Sequence, residues 1–388
     1  IKNILVPPRA PWKKSNAFRE SLRLVSAFPV LSQSFTDRLD SLEPLIVLYT
    51  RAKLHIAVRS RLWTPDPILE ARRPVPSRSG CLFLGPFMTR ARLGLLAVLF
   101  SICSATRIVL TNDDGWATAQ IRAQYDMLWA AGYEVILSAP ALDKSGTGSS
   151  STTPTPLTTP CEFDTCPVGS PAVGSDSFDP NINYVNAYPV DAARYGIQTL
   201  SPQIFGSSPD LVISGANIGA NLGLAVFFSG TIGAASEAVK EGIPSVAFSG
   251  VSGSQVSYTT LTTDPTAEST VAATIYTELI TKFISVLLSD PGPILPPGIS
   301  LNVNFASITS CPSASSYKFV LTRILPTLLS TDVDTCGSRK LPTETNAISQ
   351  GCIATVSVFN ANTKLDADST VQAAIVIVDT AVPLDAEQ

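Results

Sequence analysis

The sequence predicts an α/β fold, in which a mostly parallel sheet is flanked by helices and followed by a β-rich C-terminal extension. Three observations carry that prediction. A strand, a helix and a second strand follow one another within residues 107–140, the pattern of a right-handed βαβ unit. Further short apolar runs alternate with helix-periodic segments as far as residue 306. Several of those runs end in polar or glycine-rich turns, so the carboxyl edge of the sheet collects the reactive groups.

Taken in order, "RIVLT" (107–111) reads as a buried strand, and "ATAQIRAQYDMLWAAG" (117–132) as a helix with its apolar face at Ile121, Tyr125, Leu128 and Trp129, ended by Gly132. "YEVILSAP" (133–140) is a second strand, and the Ser/Thr/Gly/Pro-rich stretch behind it is loop. A strand at 211–214 runs into a Gly/Asn-rich turn. After it come a helix at 231–242, a strand at 243–250, a long helix at 267–289 and a strand at 299–306. The runs at 317–324, 352–360 and 373–378 are strand-like and separated by irregular segments, which predicts a β-rich appendage or an arm that pairs with a partner subunit.

Charge divides the chain before this fold begins. Residues 1–105 carry 16 Lys and Arg against 6 Asp and Glu, whereas residues 106–388 carry 11 against 25. The basic part shows no sustained period and its charges form no helix face, so neither a packed domain nor nucleic-acid binding is expected of it. From Met88 the chain reads "MTRARLGLLAVLFSICSATR", with a basic head, an apolar stretch and small residues suited to cleavage, as in a secretory signal. Its apolar part falls short of the roughly 20 residues that a membrane span needs. The expectation is therefore that translation starts at Met88, with 1–87 a non-native or disordered extension and 88–105 a signal peptide directing a secreted or vacuolar protein. Residues 106–310 would then form the core and 311–388 the extension. Secretion predicts disulfides: Cys161 and Cys166 are close enough to clip a loop, and two of Cys311, Cys336 and Cys352 would pair, leaving one odd thiol.

The single histidine, His55, lies in the discounted stretch, so a Ser-His-Asp triad, a zinc-histidine site and a phosphohistidine are not available to the core. Carboxylates, amides and hydroxyls remain, and such hard oxygen donors suit Mg²⁺, Mn²⁺ or Ca²⁺. Asp113 and Asp114 follow the first strand, Ser145 follows the second, and Asn217 follows "LVISG". All three loops leave the same edge of a parallel sheet. "SGANIGANLG" (214–223) and "SGTIGAA" (229–235) offer backbone N–H groups to an anion, and Gly230-Thr231 opens a helix whose N-terminus favours phosphate. A GxGxxG fingerprint is absent after the first strand, which counts against a nicotinamide enzyme. A cation beside a phosphate cradle implies phosphoester hydrolysis. A non-catalytic nucleotide- or metal-binding protein is the alternative, and a sugar-nucleotide transferase a more distant one.

These residues resemble the SurE (survival protein E) family of metal-dependent phosphatases and nucleotidases. The resemblance rests on "TNDDG" (111–115), "SG" (145–146), "YPVDAARYG" (188–196), "SGANIGANLG" and "SGTIGAASEA" (229–238), in the family's order. It implies a Rossmann-like fold and a divalent cation, Mg²⁺ or Mn²⁺ or else Ca²⁺, held by Asp113, Asp114, Ser145 and Asn217. It also implies a phosphate bound among Asn112, Gly146, Asn221, Ser229, Gly230 and Thr231, with Asp113 and Asp114 catalytic. The substrates implied are nucleoside monophosphates and small phosphate esters, in a homodimer or tetramer with exchanged C-terminal arms and no membrane or nucleic-acid partner. The signal-like segment and the acidic pI resemble fungal-type secreted acid phosphatases. Two departures stand out: Trp116-Ala-Thr-Ala replaces the Val-His-Ala-Pro-Gly of many members, and the segment from Cys161 to Asn186 is longer than in compact ones.

Overall fold

The computed structural model describes residues 105–327, 331–335 and 337–379. The expected N-terminal extension, 1–87, and nearly all of the signal segment lie outside them, as do His55 and Cys336. Within them β1 (Arg107–Thr111), α1 (Ala119–Ala130) and β2 (Glu134–Pro140) form the expected βαβ unit. Two short strands follow, β3 (Val173–Ser175) and β4 (Ile182–Val185). Then α2 (Pro189–Tyr195) continues through one π turn at Gly196–Leu200 into α3 (Ser201–Ile204). The chain returns with β5 (Leu211–Ile218), α4 (Gly230–Lys240), β6 (Ser245–Gly250), the short α5 (Thr260–Thr263), the long α6 (Glu268–Leu287) and β7 (Ile299–Phe305). It closes with β8 (Lys318–Thr322), α7 (Glu344–Ile348), β9 (Ile353–Asn360) and α8 (Ser369–Asp379).

The nine strands of the described residues lie in one sheet, ordered β3-β4-β2-β1-β5-β6-β7-β9-β8. The six from β4 to β7 are parallel, while β3 and β9 run antiparallel to their neighbours β4 and β7. From β1 the chain first winds outward through β2 to β4, then returns to the other side of β1 with β5. The strand order therefore reverses between β1 and β5, and the loops at their carboxyl ends diverge to leave a crevice.

Alternation along β1 fixes which helices cover which face. Ile108 and Leu110 join the larger core with Tyr125, Leu128, Tyr276 and Ile280, under α1 and α6, whereas Val109 points the other way to Ile197 and Ala238. Phe305 stacks on Tyr276 at 5.3 Å and on Phe248 at 6.0 Å. By length and composition α6 would cross a membrane, but more than half of it is buried, so its apolar surface is used by the core.

The C-terminal strands join this same sheet, and Cys311 pairs with Cys352 to tie the segment after β7 to the start of β9. Cys161 pairs with Cys166 as the spacing suggests. One expectation is corrected. Residues 373–378 are not a strand but part of α8, because Asp368 accepts the amide hydrogens of Thr370 and Val371 at 2.9 and 3.0 Å and so caps a helix. A good cap outweighs the weak β preference of an Ile/Val run.

Candidate functional site

The crevice between β1 and β5 is where Asp113 and Asp114 sit. Asn112 makes the turn that puts them there: its side-chain amide donates to the Gly115 carbonyl at 2.9 Å and its carbonyl accepts the Gly115 N–H at 3.2 Å. Gly115 closes the turn at φ +106°, a conformation that a side chain would strain. Beneath it Trp116 is buried against Tyr184, with the Arg122 guanidinium over its ring. Trp116 thus anchors the chain directly after the turn.

Both carboxylates are almost wholly buried, Asp113 at 2% and Asp114 at 1% exposure. Asp113 accepts the Thr231 hydroxyl at 2.6 Å. Asp114 accepts the Ile218 N–H and the Gln255 side-chain amide, both at 3.0 Å. Burial pushes both carboxyls above the usual carboxylate range, and the charge of Asp113 adds to the effect on Asp114. Among the described residues no lysine or arginine forms an ion pair with either. Buried charges of this kind are paired or coordinate metals, so the chemistry of the pair fits a divalent cation. No three acidic, histidine or cysteine side chains gather around one point among the described residues. The remaining donors to a cation must then be neutral oxygens.

Ser145 and Asn217 approach this pair through their chain neighbours. Lys144 donates its N–H to the Asp113 carbonyl at 2.8 Å, and Ile218, next to Asn217, donates to Asp114. Ser145 is exposed, and both its N–H and its hydroxyl go to Asp143, at 2.8 and 2.7 Å. The Asn217 amide donates to the Gly219 carbonyl at 2.5 Å. Gly146 follows, exposed, in the same loop as Ser145.

The opposite wall is the start of α4. Ser229 caps that helix by accepting the Ile232 N–H at 3.1 Å, and Ser214 holds the first turn by donating to the Thr231 carbonyl at 2.8 Å. Gly230 lets the turn close on Asp113: a methyl group there would lie 2.8 Å from the Asp113 Cβ and 2.9 Å from Oδ2. Asn221 is buried beside it, its amide donating to Ser249 at 2.9 Å and lying 3.4 Å from the Thr231 hydroxyl. Removing the Ser229 hydroxyl (Ser229→Ala) is expected to cost about 1 kcal/mol of stability, which urea unfolding would register as a lower midpoint with an unchanged slope.

Three residues of this region escape sequence reasoning. Gln255 comes from an irregular loop and carries no pattern. Asp143 stands two residues before Ser145, and its place in that loop was the available signal. Glu162 lies far along the chain in the Cys161–Cys166 loop, and its carboxyl group rests against Gly115.

The family described as Survival protein SurE matches residues 108–329. An acid phosphatase of Yarrowia lipolytica is 40% identical over 205 residues, which are 52% of this chain and 57% of the relative. A 5'-nucleotidase SurE of Thermosynechococcus vestitus is 34% identical over 219 residues, 56% of this chain and 69% of the relative. The chain thus spans about half to two thirds of the length of the curated relatives it matches. Among solved structures, the Sure protein from Aquifex aeolicus is 21% identical with a TM-score of 0.47, covering 70% of this chain and 99% of that one.

Proposed function

The chain belongs to the SurE family, and on that premise we propose that it is a divalent-metal-dependent phosphomonoesterase acting on nucleoside monophosphates or other small phosphate esters. The observation that carries this reading is the buried, unpaired Asp113–Asp114 doublet, set at the reversal of the sheet and packed against the first turn of α4. The names of the relatives, acid phosphatase and 5'-nucleotidase, support the substrate class.

Asp113, Asp114, Ser145 and Asn217 would hold the cation, Mg²⁺ or Mn²⁺, with the Ser145 hydroxyl turned from Asp143. Bound there, it supplies Lewis-acid stabilisation of charge on the phosphoryl oxygens. The first turn of α4 would lie against the phosphate with Asn221 beside it, the Thr231 hydroxyl turning from Asp113 to reach it. Asp113, next to this cradle, takes the proton of the attacking water. The water oxygen joins phosphorus as the ester P–O bond breaks, and the departing alcohol oxygen needs a proton. In a rival course the Asp113 carboxylate attacks phosphorus itself. Trapping of labelled phosphate on the protein would favour that course, and label from solvent oxygen entering phosphate without it would favour water.

The expected result of a substrate panel is release of phosphate from a nucleoside 5'- or 3'-monophosphate or an aryl phosphate with Mn²⁺ or Mg²⁺, abolished by a chelator. Nucleotide binding without phosphate release under every cation would replace the enzyme by a binding protein. Passage through the secretory route to the medium or the vacuole is part of the proposal, supported by the signal-like segment before residue 106 and by two disulfides in the core. N-terminal sequencing of the exported protein tests it, with a start near Thr106 expected. Assembly as a homodimer or tetramer, also proposed, is read by light scattering.

A further inference from the structure

Hydrolysis of a phosphate ester leaves the departing alcohol oxygen short of a proton, and in an in-line displacement that oxygen departs on the side opposite the water whose proton Asp113 takes, while Asp114 holds the cation. The described residues include no histidine. Lys144, in the loop after β2, has its ammonium group 6.0 Å from the centre of the Tyr188 ring. Asp143 is occupied as an acceptor, taking both the N–H and the hydroxyl of Ser145. One acid remains at the site.

That acid is Glu162. It begins a tight turn, Glu162–Asp164, directly after Cys161, with Phe163 and Asp164 in the left-handed region. Its N–H donates to the Ala141 carbonyl at 3.0 Å, which fixes the turn to the end of β2. The Cys161–Cys166 disulfide closes the loop, and within it the Cys161 N–H donates to the Cys166 carbonyl at 2.9 Å. Cys161 itself is buried in the main core. Glu162 is therefore held on a clamped element, and its carboxyl group lies over Gly115, the residue after Asp114. A methyl group at Gly115 would clash with Glu162 Oε2.

Two further features separate Glu162 from the cation donors. It does not form with Asp113 and Asp114 a group of three acids able to hold a metal, so it stands beside the pair and outside its donor set. Its Oε2 is buried and has no hydrogen-bond partner. A buried oxygen without a partner is costly and calls for a reason. Burial, with the charge of Asp143 nearby, pushes the carboxyl up to about 7, which keeps it protonated in acidic medium.

We propose that Glu162 is the general acid of this site, giving its carboxyl proton to the leaving alcohol oxygen. The assignment rests on the phosphomonoesterase reading above. As the water oxygen bonds to phosphorus, the electron pair of the breaking P–O bond passes to the alcohol oxygen. That oxygen takes the Glu162 proton, and Glu162 is left as a carboxylate to be reprotonated from solvent. The insertion that carries Glu162 thereby does chemical work for the loops that carry the aspartates.

Leaving-group dependence tests this with the full chain, Mn²⁺ and two esters. 4-Nitrophenyl phosphate releases a weakly basic phenolate that needs little help, whereas glycerol 3-phosphate releases a strongly basic alkoxide. Glu162→Gln is expected to lower kcat/KM for the alkyl ester by ~10²–10³-fold and for the aryl ester by less than ~10-fold, the range open to general acid catalysis. A merely structural role would lower both alike. Equal loss on the two esters, or no loss on the alkyl ester, overturns the assignment while the phosphomonoesterase reading stands. Wild-type protein that turns over neither ester with any cation overturns both. Thermal melting of the variant and its cation-induced stabilisation, expected to match wild type, show that the site is still assembled.

Discussion

Asp114→Asn is expected to lower metal-dependent turnover by at least ~10³-fold, the upper end of what removal of one preorganised charge-stabilising group costs, while making the cation-free protein more stable. The two effects share one cause. Asp114 is 1% exposed and lies beside a second buried carboxylate, so in the absence of a cation its charge is a burden on the fold. Asparagine has the same shape and can still accept the Ile218 N–H, but it removes half of the negative charge that would attract the metal. The variant should therefore melt above the cation-free wild type yet gain little when Mn²⁺ is added, whereas the wild type gains stability with cation concentration as any specific ligand requires. Melting curves with and without cation, beside phosphate release, separate this from simple damage. A variant that is both inactive and less stable without cation would point to a structural role for Asp114, and one that keeps its activity would remove Asp114 from the reaction.

What was legible in the sequence followed the physics of burial. β1, β2 and the start of β5 are continuous apolar runs, β7 alternates apolar and polar residues, and α1, α4 and α6 carry a clear helical period, so each is visible where it stands. β3 and β4 are three and four residues long, too short for a period to show, and they sit in a segment whose Ser, Pro and Asp content resembles loop. The Ile/Val run of α8 has no period either, and the decision between helix and strand there belongs to the Asp368 cap. The site divides in the same way. Asp113-Asp114 stands out because two charges directly after an apolar strand have no reason to be there unless the sheet edge uses them. Gln255, Asp143 and Glu162 reach the pair only through the order of the strands and a disulfide-closed loop, and neither is written in local pattern.

Alkaline pH is expected to weaken this fold, and Glu344→Gln to remove a large part of that sensitivity. Glu344, at the first turn of α7, is wholly buried and accepts the Asn302 side-chain amide at 2.7 Å. Burial, with the charge of Asp366 adding to it, pushes its carboxyl up to about 8 from an ordinary 4.5. Between those two values the folded chain holds a proton that the unfolded chain has released. Stability is therefore highest at and below the lower value, falls as pH rises through the window, and has lost the full amount above the higher one. Each tenfold difference in proton affinity between the folded and unfolded chain is worth about 1.4 kcal/mol, so the loss amounts to several kcal/mol, a large share of what holds a domain together. Glutamine keeps an acceptor for Asn302 and has no proton to lose. Glu162 and the aspartate pair also carry raised values and contribute a slope of their own, so the informative quantity is the difference between wild type and variant in urea midpoints at about pH 4, 6 and 9, which bracket the window. Curves that stay parallel would show that Glu344 does not titrate in this range. The consequence reaches the site as well: Asn302 also donates to the Asn221 carbonyl at 3.0 Å, and Asn304 accepts the Asn221 N–H at 2.8 Å. The cost of a buried charge at Glu344 is expected to reach the backbone that carries Asn221 through Asn302, so KM in the wild type should rise toward the alkaline end of that range before unfolding is seen, while in Glu344→Gln it should rise less.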